Sequence, residues 1–175
     1  YSSAASDVYK RQHMRLEDKA EVDGVTYDCA YVELGDPGIP HAAVPIENLK
    51  DYDTQALFQL GRKLRYYKDF PKGANVNFYE IVGPDHVYER TYERGVEDFT
   101  YACGTGTGSV VTVLTLLGKV SGKGVRVDMT GGTLTIDVER DSAGHVTDLF
   151  LTGPTNIVCK GEITDEALDP SLLSM

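Results

Sequence analysis

Three features are scarce in this sequence, and each scarcity argues against a class of protein. Only three cysteines occur in 175 residues, and their odd number and wide spacing fit neither a disulfide framework nor a zinc site. No apolar run approaches the roughly 20 residues that span a bilayer, so we expect no membrane partner. Lys and Arg number 17 against 27 Asp and Glu, which argues against nucleic acid as a partner because that partner needs a basic face.

The two ends of the chain are set apart from the predicted fold. Residues 1–12 (YSSAASDVYKRQ) are small, polar and aperiodic, so we interpret them as a non-native or disordered leader. Residues 164–175 form an acidic tail, which leaves 13–163 as one predicted domain. A non-native leader implies that the natural protein extends upstream. We find no secretory signal pattern, and the unpaired cysteines favour a reducing, cytoplasmic location.

Periodicity predicts many strands and two helices. Residues 54–67 carry apolar side chains at helical spacing after Asp53, a plausible N-cap, and residues 103–117 form an apolar helix that ends at Gly118. A polar loop is predicted at 93–100. Predicted strands lie at residues 19–34 (a hairpin about Asp23-Gly24), 42–46, 76–82, 86–92, 125–129, 133–139, 145–151 and 156–163. The helix is apolar on nearly every face and must be surrounded by protein, so we expect an α+β fold in which a mixed sheet or barrel wraps around it.

Cys103 is the residue that most strongly suggests chemistry. It lies at the start of the apolar helix, where free N–H groups and the positive end of the helix dipole favour a thiolate and lower the thiol pKa. Gly104 and Gly106 flank Thr105 and allow the backbone to approach a ligand carboxylate. This combination suits an α-amino acid substrate. A buried cysteine is also a common core residue, and a glycine-rich helix start can serve packing alone.

Residues 92–109 (YERGVEDFTYACGTGTGS) resemble the second active-site signature of the diaminopimelate epimerase family, within the wider proline racemase and diaminopimelate epimerase superfamily. The resemblance continues through VRVDMTGGTLTI at 125–136, LTGPTNIVCKG at 151–161, ANVNF at 74–78 and the Pro40-His41 pair. It covers about residues 19–163 and implies the C-terminal half of such a protein. The implied reaction is conversion of LL- to meso-diaminopimelate, a step of lysine and cell-wall biosynthesis, without a cofactor or metal.

The resemblance also implies roles for individual residues near the reacting carbon. Cys103 is one of two cysteines that face each other across the substrate Cα, so that one removes a proton while the other supplies one. The N–H groups of Gly104 and Thr105, with the Thr105 hydroxyl, bind the reacting carboxylate. Glu93 and His41 assist the thiols.

Two further residues are implied to recognise the distal end of the substrate. Arg94 takes a distal carboxylate, and Asn75 helps to bind the same end. Taken without the resemblance, Glu93-Arg94 is an ordinary surface pair and Asn75 an ordinary turn former.

Two departures from the family pattern limit the prediction. The other catalytic cysteine belongs to the N-terminal half, and Cys29 and Cys159 lie in strand-like segments where we expect structural roles. The chain alone is therefore expected to be inactive and to lack a partner half-domain, whose absence leaves an apolar face exposed. Ile39 stands where many members carry Asn, which keeps open a racemase of histidine, proline or another amino acid. A Cys/His hydrolase, a non-catalytic amino-acid-binding module and a homodimer of the intact protein also remain open.

Overall fold

The computed structural model describes residues 13–35 and 38–162, which form nine strands and two helices. The predicted leader at 1–12 and the acidic tail at 164–175 lie outside the described residues. The helices are α1 (Thr54–Arg65) and α2 (Gly104–Leu116). The strands are β1 (His13–Val22), β2 (Val25–Gly35), β3 (Gly38–Pro45), β4 (Asn75–Gly83), β5 (His86–Glu93), β6 (Asp98–Thr100), β7 (Val125–Met129), β8 (Gly132–Arg140) and β9 (Val146–Thr152).

All nine strands belong to one mixed sheet. Its order is β1-β2-β3-β4-β5-β7-β8-β9, and the short β6 pairs with the end of β5. The pairs β3–β4 and β5–β7 are parallel and the others are antiparallel. Helix α2 contacts β2, β3 and β4 near one end of the order and β8 and β9 at the other, so the sheet curls around it. The predicted α+β architecture with a central helix is confirmed.

The two helices lie on different faces of the sheet, each over its own core. Leu57, Leu60 and Leu64 of α1 pack in one buried cluster, and Val110, Val111 and Leu114 of α2 pack in the other. Ten consecutive residues of α2, from position 106 to 115, are buried. The all-round apolar sequence of this helix is therefore matched by protein on every side, as predicted.

Local signals at the helix ends also behave as predicted. The Asp53 carboxylate caps α1 by accepting a hydrogen bond from the Ala56 N–H at 2.7 Å. At the end of α2, Gly118 adopts a φ of 67°. The Lys119 N–H then reaches back to the Leu114 carbonyl at 2.8 Å, which is the Schellman arrangement that a C′ glycine permits.

Two predicted segments were wrong. Residues 98–100 form β6 within the predicted polar loop, because their backbone pairs with the end of β5 although they carry no apolar alternation. In the predicted last strand, residues 156–162 have no strand partner within the described chain, and Ile163 lies outside it. Ile157 and Val158 are 83% and 90% exposed, so nothing in the described chain covers this segment. Neither described helix combines the length and apolar character needed to cross a membrane.

Strand alternation places three of the seven predicted site residues on the face that α2 covers. Successive side chains of a strand point to opposite faces. On β3, β4 and β5, Ala43, Tyr79 and Val87 belong to the α2 core. Residues an even number of positions from these share that face: His41, Asn75, Asn77, Glu89, Thr91 and Glu93. The sheet thus gathers polar side chains beneath and beside the start of α2.

Candidate active site

Cys103 is the N-cap residue of α2, with an extended backbone (φ −137°, ψ 97°) and a half-buried side chain. The first helical hydrogen bond runs from the Thr107 N–H to the Cys103 carbonyl at 2.9 Å. The Gly106 N–H is close enough to the thiol to lower its pKa, although Cys103 makes no side-chain capping hydrogen bond. The N–H groups of Gly104 and Thr105 precede any intrahelical acceptor, and both residues are exposed. The two backbone donors at the start of α2 therefore belong to exposed residues next to the thiol.

The thiol differs from the sequence prediction in its protonation. Burial raises the pKa of Cys103, and the charges of Glu93 and Glu89 raise it further. The Thr105 hydroxyl, whose oxygen is 3.7 Å from Sγ, and the nearby Gly106 N–H oppose this rise. The prediction of a lowered pKa was wrong because burial and two carboxylates outweigh the helix terminus.

His41 lies on β3 and is 1% exposed. Its Nδ1 is 2.9 Å from Asn77 Oδ1, and its Nε2 has no hydrogen-bond partner among the described residues. Burial lowers the pKa of His41 to about 4, and the positive charge of Arg94 acts in the same direction. The imidazole is therefore neutral at physiological pH.

Asn75 joins two parts of the site through its side chain. Its Oδ1 accepts a hydrogen bond from the Arg94 N–H at 2.7 Å, and its Nδ2 donates to the Pro40 carbonyl at 3.3 Å. The Asn75 amide thus links Pro40, the residue before His41, to Arg94, the residue after β5. Its predicted role toward substrate stays a prediction.

Glu93 is the last residue of β5 and Arg94 follows it, and the two side chains differ in burial. The Glu93 side chain is half-buried and close enough to Cys103 for its charge to raise the thiol pKa. Arg94 is exposed, and its Nη1 donates to the Lys72 carbonyl at 2.9 Å. Glu93 therefore lies within electrostatic range of the thiol, and Arg94 lies at the surface.

A cavity of about 390 Å³ opens beside the start of α2. Three of the predicted site residues line it: His41, Gly104 and Thr105. The rest of the lining is mostly apolar, and it includes Ile39. The remaining lining residues are Leu34, Gly108, Ser109, Ile136, Leu149, Phe150 and Leu151.

The outer wall of the cavity is exposed although it is apolar. Phe150 and Leu151 are 45% and 50% exposed, and Ile39 and Leu149 are exposed as well. Sequence reasoning expected such an apolar face in a half-domain.

A buried polar group under the first turn of α2 was missed by the sequence reasoning. Glu89, on β5, is 1% exposed and accepts hydrogen bonds from Asn77, Thr91 and Thr107. Burial raises the pKa of Glu89 to about 7, and these three hydrogen bonds oppose the rise. The available signal was alternation, since Glu89 occupies the same inward phase of the strand as Val87 and Thr91.

Helix α2 packs closely over the buried polar side chains at Gly106, and this packing can be tested by substitution. A Cβ there would lie 2.1 Å from Asn77 Nδ2 and 3.1 Å from Cys103 Sγ. We expect Gly106→Ala to lower the free energy of unfolding by about 1–3 kcal/mol through overpacking, although alanine is the better helix former. Urea denaturation of this chain measures the change.

Gly108 provides the matched control on the same helix. A Cβ at Gly108 would meet only Leu149 Cδ1, at 3.6 Å, which is an ordinary contact. Gly108→Ala should therefore be neutral or stabilising by up to about 1 kcal/mol. Equal effects of the two substitutions would contradict the close packing of α2 on Asn77.

Comparison with solved structures identifies the fold. The structure is similar to that of a probable proline racemase from Agrobacterium radiobacter, with a TM-score of 0.61 and 17% sequence identity, over 91% of this chain and 53% of that one. The chain thus shares the fold of that racemase.

Sequence comparison identifies the family. The chain is 42% identical to diaminopimelate epimerase of Aquifex aeolicus over 134 residues, which are 75% of this chain and 46% of that protein. It is 34% identical to diaminopimelate epimerase of Leptospira biflexa over 156 residues, which are 89% of this chain and 51% of that protein. The sequence model of the family described as diaminopimelate epimerase matches residues 35–158. The chain belongs to this family, and it spans about half the length of the curated relatives it matches.

Proposed function

We propose that the protein to which this chain belongs epimerises diaminopimelate at Cα, from the LL to the meso form, with Cys103 as one of two proton-transferring thiols. The observation that carries the proposal is the position of Cys103: it caps a buried helix whose Gly104 and Thr105 N–H groups are accessible, beside a cavity that His41 lines. Two groups are needed because a single base would return the proton to the face from which it came.

The raised pKa of Cys103 suits the proton donor in one direction of the reaction. A protonated thiol delivers its proton to the substrate carbanion, and the resulting thiolate receives hydrogen bonds from the Gly106 N–H and the Thr105 hydroxyl. In the reverse direction the thiol must first lose its proton. Glu93 is the neighbouring carboxylate that we propose as the acceptor of that proton.

The substrate carboxylate is proposed to bind at the start of α2. The N–H groups of Gly104 and Thr105 point out of the helix end, where the helix dipole favours negative charge. The same donors stabilise the charge that develops beside Cα when the proton leaves. Arg94, at the periphery, is proposed to take the distal carboxylate, and Asn75 to hold Arg94 and His41 in place.

The second thiol is proposed to come from an N-terminal half-domain. Cys29 is 5% exposed in the α1 core, away from the cavity, and burial raises its pKa to about 11. Cys159 is exposed in a segment with no strand partner in the described chain. An added half-domain would cover the apolar outer wall formed by Leu149, Phe150 and Leu151 and bring its thiol toward His41. We propose that this chain alone is inactive.

The apolar cavity supports a second candidate function, racemisation of another amino acid on the same fold. Ile39 lines the cavity, and 42% of its surface is exposed to solvent. An aliphatic side chain there offers no hydrogen bond to a distal ammonium or carboxylate group. The hydrolase alternative has no such support, because His41 Nε2 has no partner among the described residues and so forms no pair with Cys103.

Exchange of the substrate α-proton in deuterium oxide distinguishes these functions. The complete protein, recovered with its upstream sequence, is incubated with diaminopimelate, histidine and proline, and loss of the α-proton signal is followed by NMR. We expect exchange with diaminopimelate alone. Exchange with a different amino acid would move the substrate to the second candidate, and no exchange by the folded complete protein would refute both.

A further inference from the structure

A chain of buried hydrogen bonds runs from the start of α2 to His41. Glu89 Oε2 accepts a hydrogen bond from the Thr107 hydroxyl at 2.8 Å. Glu89 Oε1 accepts from Asn77 Nδ2 at 2.8 Å and from the Thr91 hydroxyl at 3.2 Å. Asn77 Oδ1 lies 2.9 Å from His41 Nδ1. One carboxyl group is thereby connected, through one amide, to the imidazole that lines the cavity.

The chemistry of this chain determines the direction of the Asn77 amide. An ionised carboxylate has only acceptors, so the group that faces Glu89 must be the NH₂ of Asn77. The carbonyl oxygen of Asn77 then faces His41. Because that oxygen only accepts, His41 Nδ1 must carry the hydrogen, and in the neutral imidazole Nε2 carries the lone pair.

The same direction holds when Glu89 is protonated. A proton on Oε2 can be donated to the Thr107 hydroxyl, which in turn donates to the Cys103 carbonyl at 3.0 Å. With the proton on Oε2, Oε1 stays an acceptor for Asn77, as it is in the ionised state. The Thr91 hydroxyl, 2.8 Å from Asn77 Nδ2, can donate or accept and so imposes no direction by itself.

We propose that Glu89 is a positioning residue that fixes His41 in the Nδ1–H tautomer and presents Nε2 to the cavity as a proton acceptor. His41 Nε2 is buried without a partner among the described residues, and the side chain lines the cavity together with Gly104 and Thr105. A lone pair in that position is what a base or an acceptor for a thiol proton requires. The consequence for catalysis rests on the proposed function, whereas the tautomer itself is a property of this chain.

The tautomer can be measured on this chain without substrate. Long-range ¹H–¹⁵N correlation spectra distinguish a ring nitrogen that bears hydrogen from one that bears a lone pair. The signals of His41 are assigned as those that disappear from the spectrum of the His41→Asn variant. We expect His41 Nδ1 to give the shift of a nitrogen that bears hydrogen and Nε2 that of a lone-pair nitrogen throughout pH 6–8. A neutral imidazole that is Nε2–H, or a charged one in this range, would overturn the proposal.

Two variants distinguish positioning from general packing. Glu89→Met removes the carboxyl group at similar length and leaves Asn77 with only the Thr91 hydroxyl, so we expect His41 to become a mixture of tautomers. Thr107→Val is the matched control, because it removes the other partner of the same carboxyl and leaves the contact with Asn77 intact. We expect it to keep the Nδ1–H tautomer. An unchanged tautomer in folded Glu89→Met would show that Glu89 does not position His41.

The measurement of the His41 tautomer does not depend on whether the proposed reaction takes place. Failure of α-proton exchange in the complete protein would leave the tautomer and its dependence on Glu89 as measured. Conversely, an Nε2–H tautomer together with normal exchange would refute the role of Glu89 and retain the epimerase. If Glu89→Met does not fold, the spectrum of the unsubstituted chain can still overturn the proposal, because an Nε2–H imidazole there would contradict the tautomer that Glu89 is proposed to fix.

Discussion

Cys103→Ala in the complete protein is expected to lower the rate of substrate α-proton exchange by at least roughly 10²–10⁴-fold, the range attributed to a positioned acid or base. The loss should be larger than for removal of a neighbouring group, because Cys103 is proposed to exchange the proton directly. The helix that it caps does not depend on its side chain, since Cys103 makes no side-chain capping bond. The unfolding free energy should therefore change little, and loss of exchange should not reflect unfolding.

Cys159→Ala is the matched control for this substitution. Its thiol is exposed and lies in a segment with no strand partner in the described chain. We expect its exchange rate to equal that of the unsubstituted protein. Full activity of Cys103→Ala, or an equal loss in both variants, would remove Cys103 from the proposed proton relay.

The second prediction concerns the pH dependence of stability through Glu89. Burial raises its pKa from 4.5 to about 7, so between these values the folded chain holds a proton that the unfolded chain has released. The resulting stabilisation is complete below about pH 4.5 and is lost as the pH rises through about 7. At 1.36 kcal/mol per pKa unit, the loss amounts to roughly 3 kcal/mol.

His41 acts in the opposite direction over part of the same range. Burial lowers its pKa from 6.5 to about 4, so between these values the unfolded chain binds a proton that the folded chain does not. Its contribution is complete above about pH 6.5 and is lost as the pH falls through about 4. The two groups therefore offset each other between about pH 4.5 and 6.5.

Glu89→Gln separates the two contributions. The variant retains hydrogen-bonding groups but has no titrating carboxyl, so the unfolding free energy of the natural chain minus that of the variant should fall by roughly 3 kcal/mol between pH 4.5 and pH 8. Urea denaturation at both values measures this difference. The three side chains that hydrogen-bond Glu89, those of Asn77, Thr91 and Thr107, do not titrate, and His41 is present in both chains. A difference independent of pH would mean that Glu89 titrates alike in both states.

Sequence reasoning succeeded where the determinants are local. The N-cap at Asp53, the Asp23-Gly24 turn and the C′ glycine at Gly118 depend on neighbouring residues, and the structure contains all three. Sequence reasoning failed at β6 and at residues 156–162. A strand exists only when another strand pairs with it, and the described chain supplies a partner for residues 98–100 and none for 156–162.

By itself the sequence determined that Cys103 begins an apolar helix that must be enclosed, because helix signals and hydrophobic periodicity act over a few neighbouring residues. The tertiary structure decided which side chains surround that cysteine. The registers of β3, β4 and β5 bring His41, Asn77 and Glu89 together from distant positions in the chain. Burial in that setting raises the pKa of Cys103 and of Glu89, since desolvation depends on the atoms packed around a group and not on its neighbours in sequence.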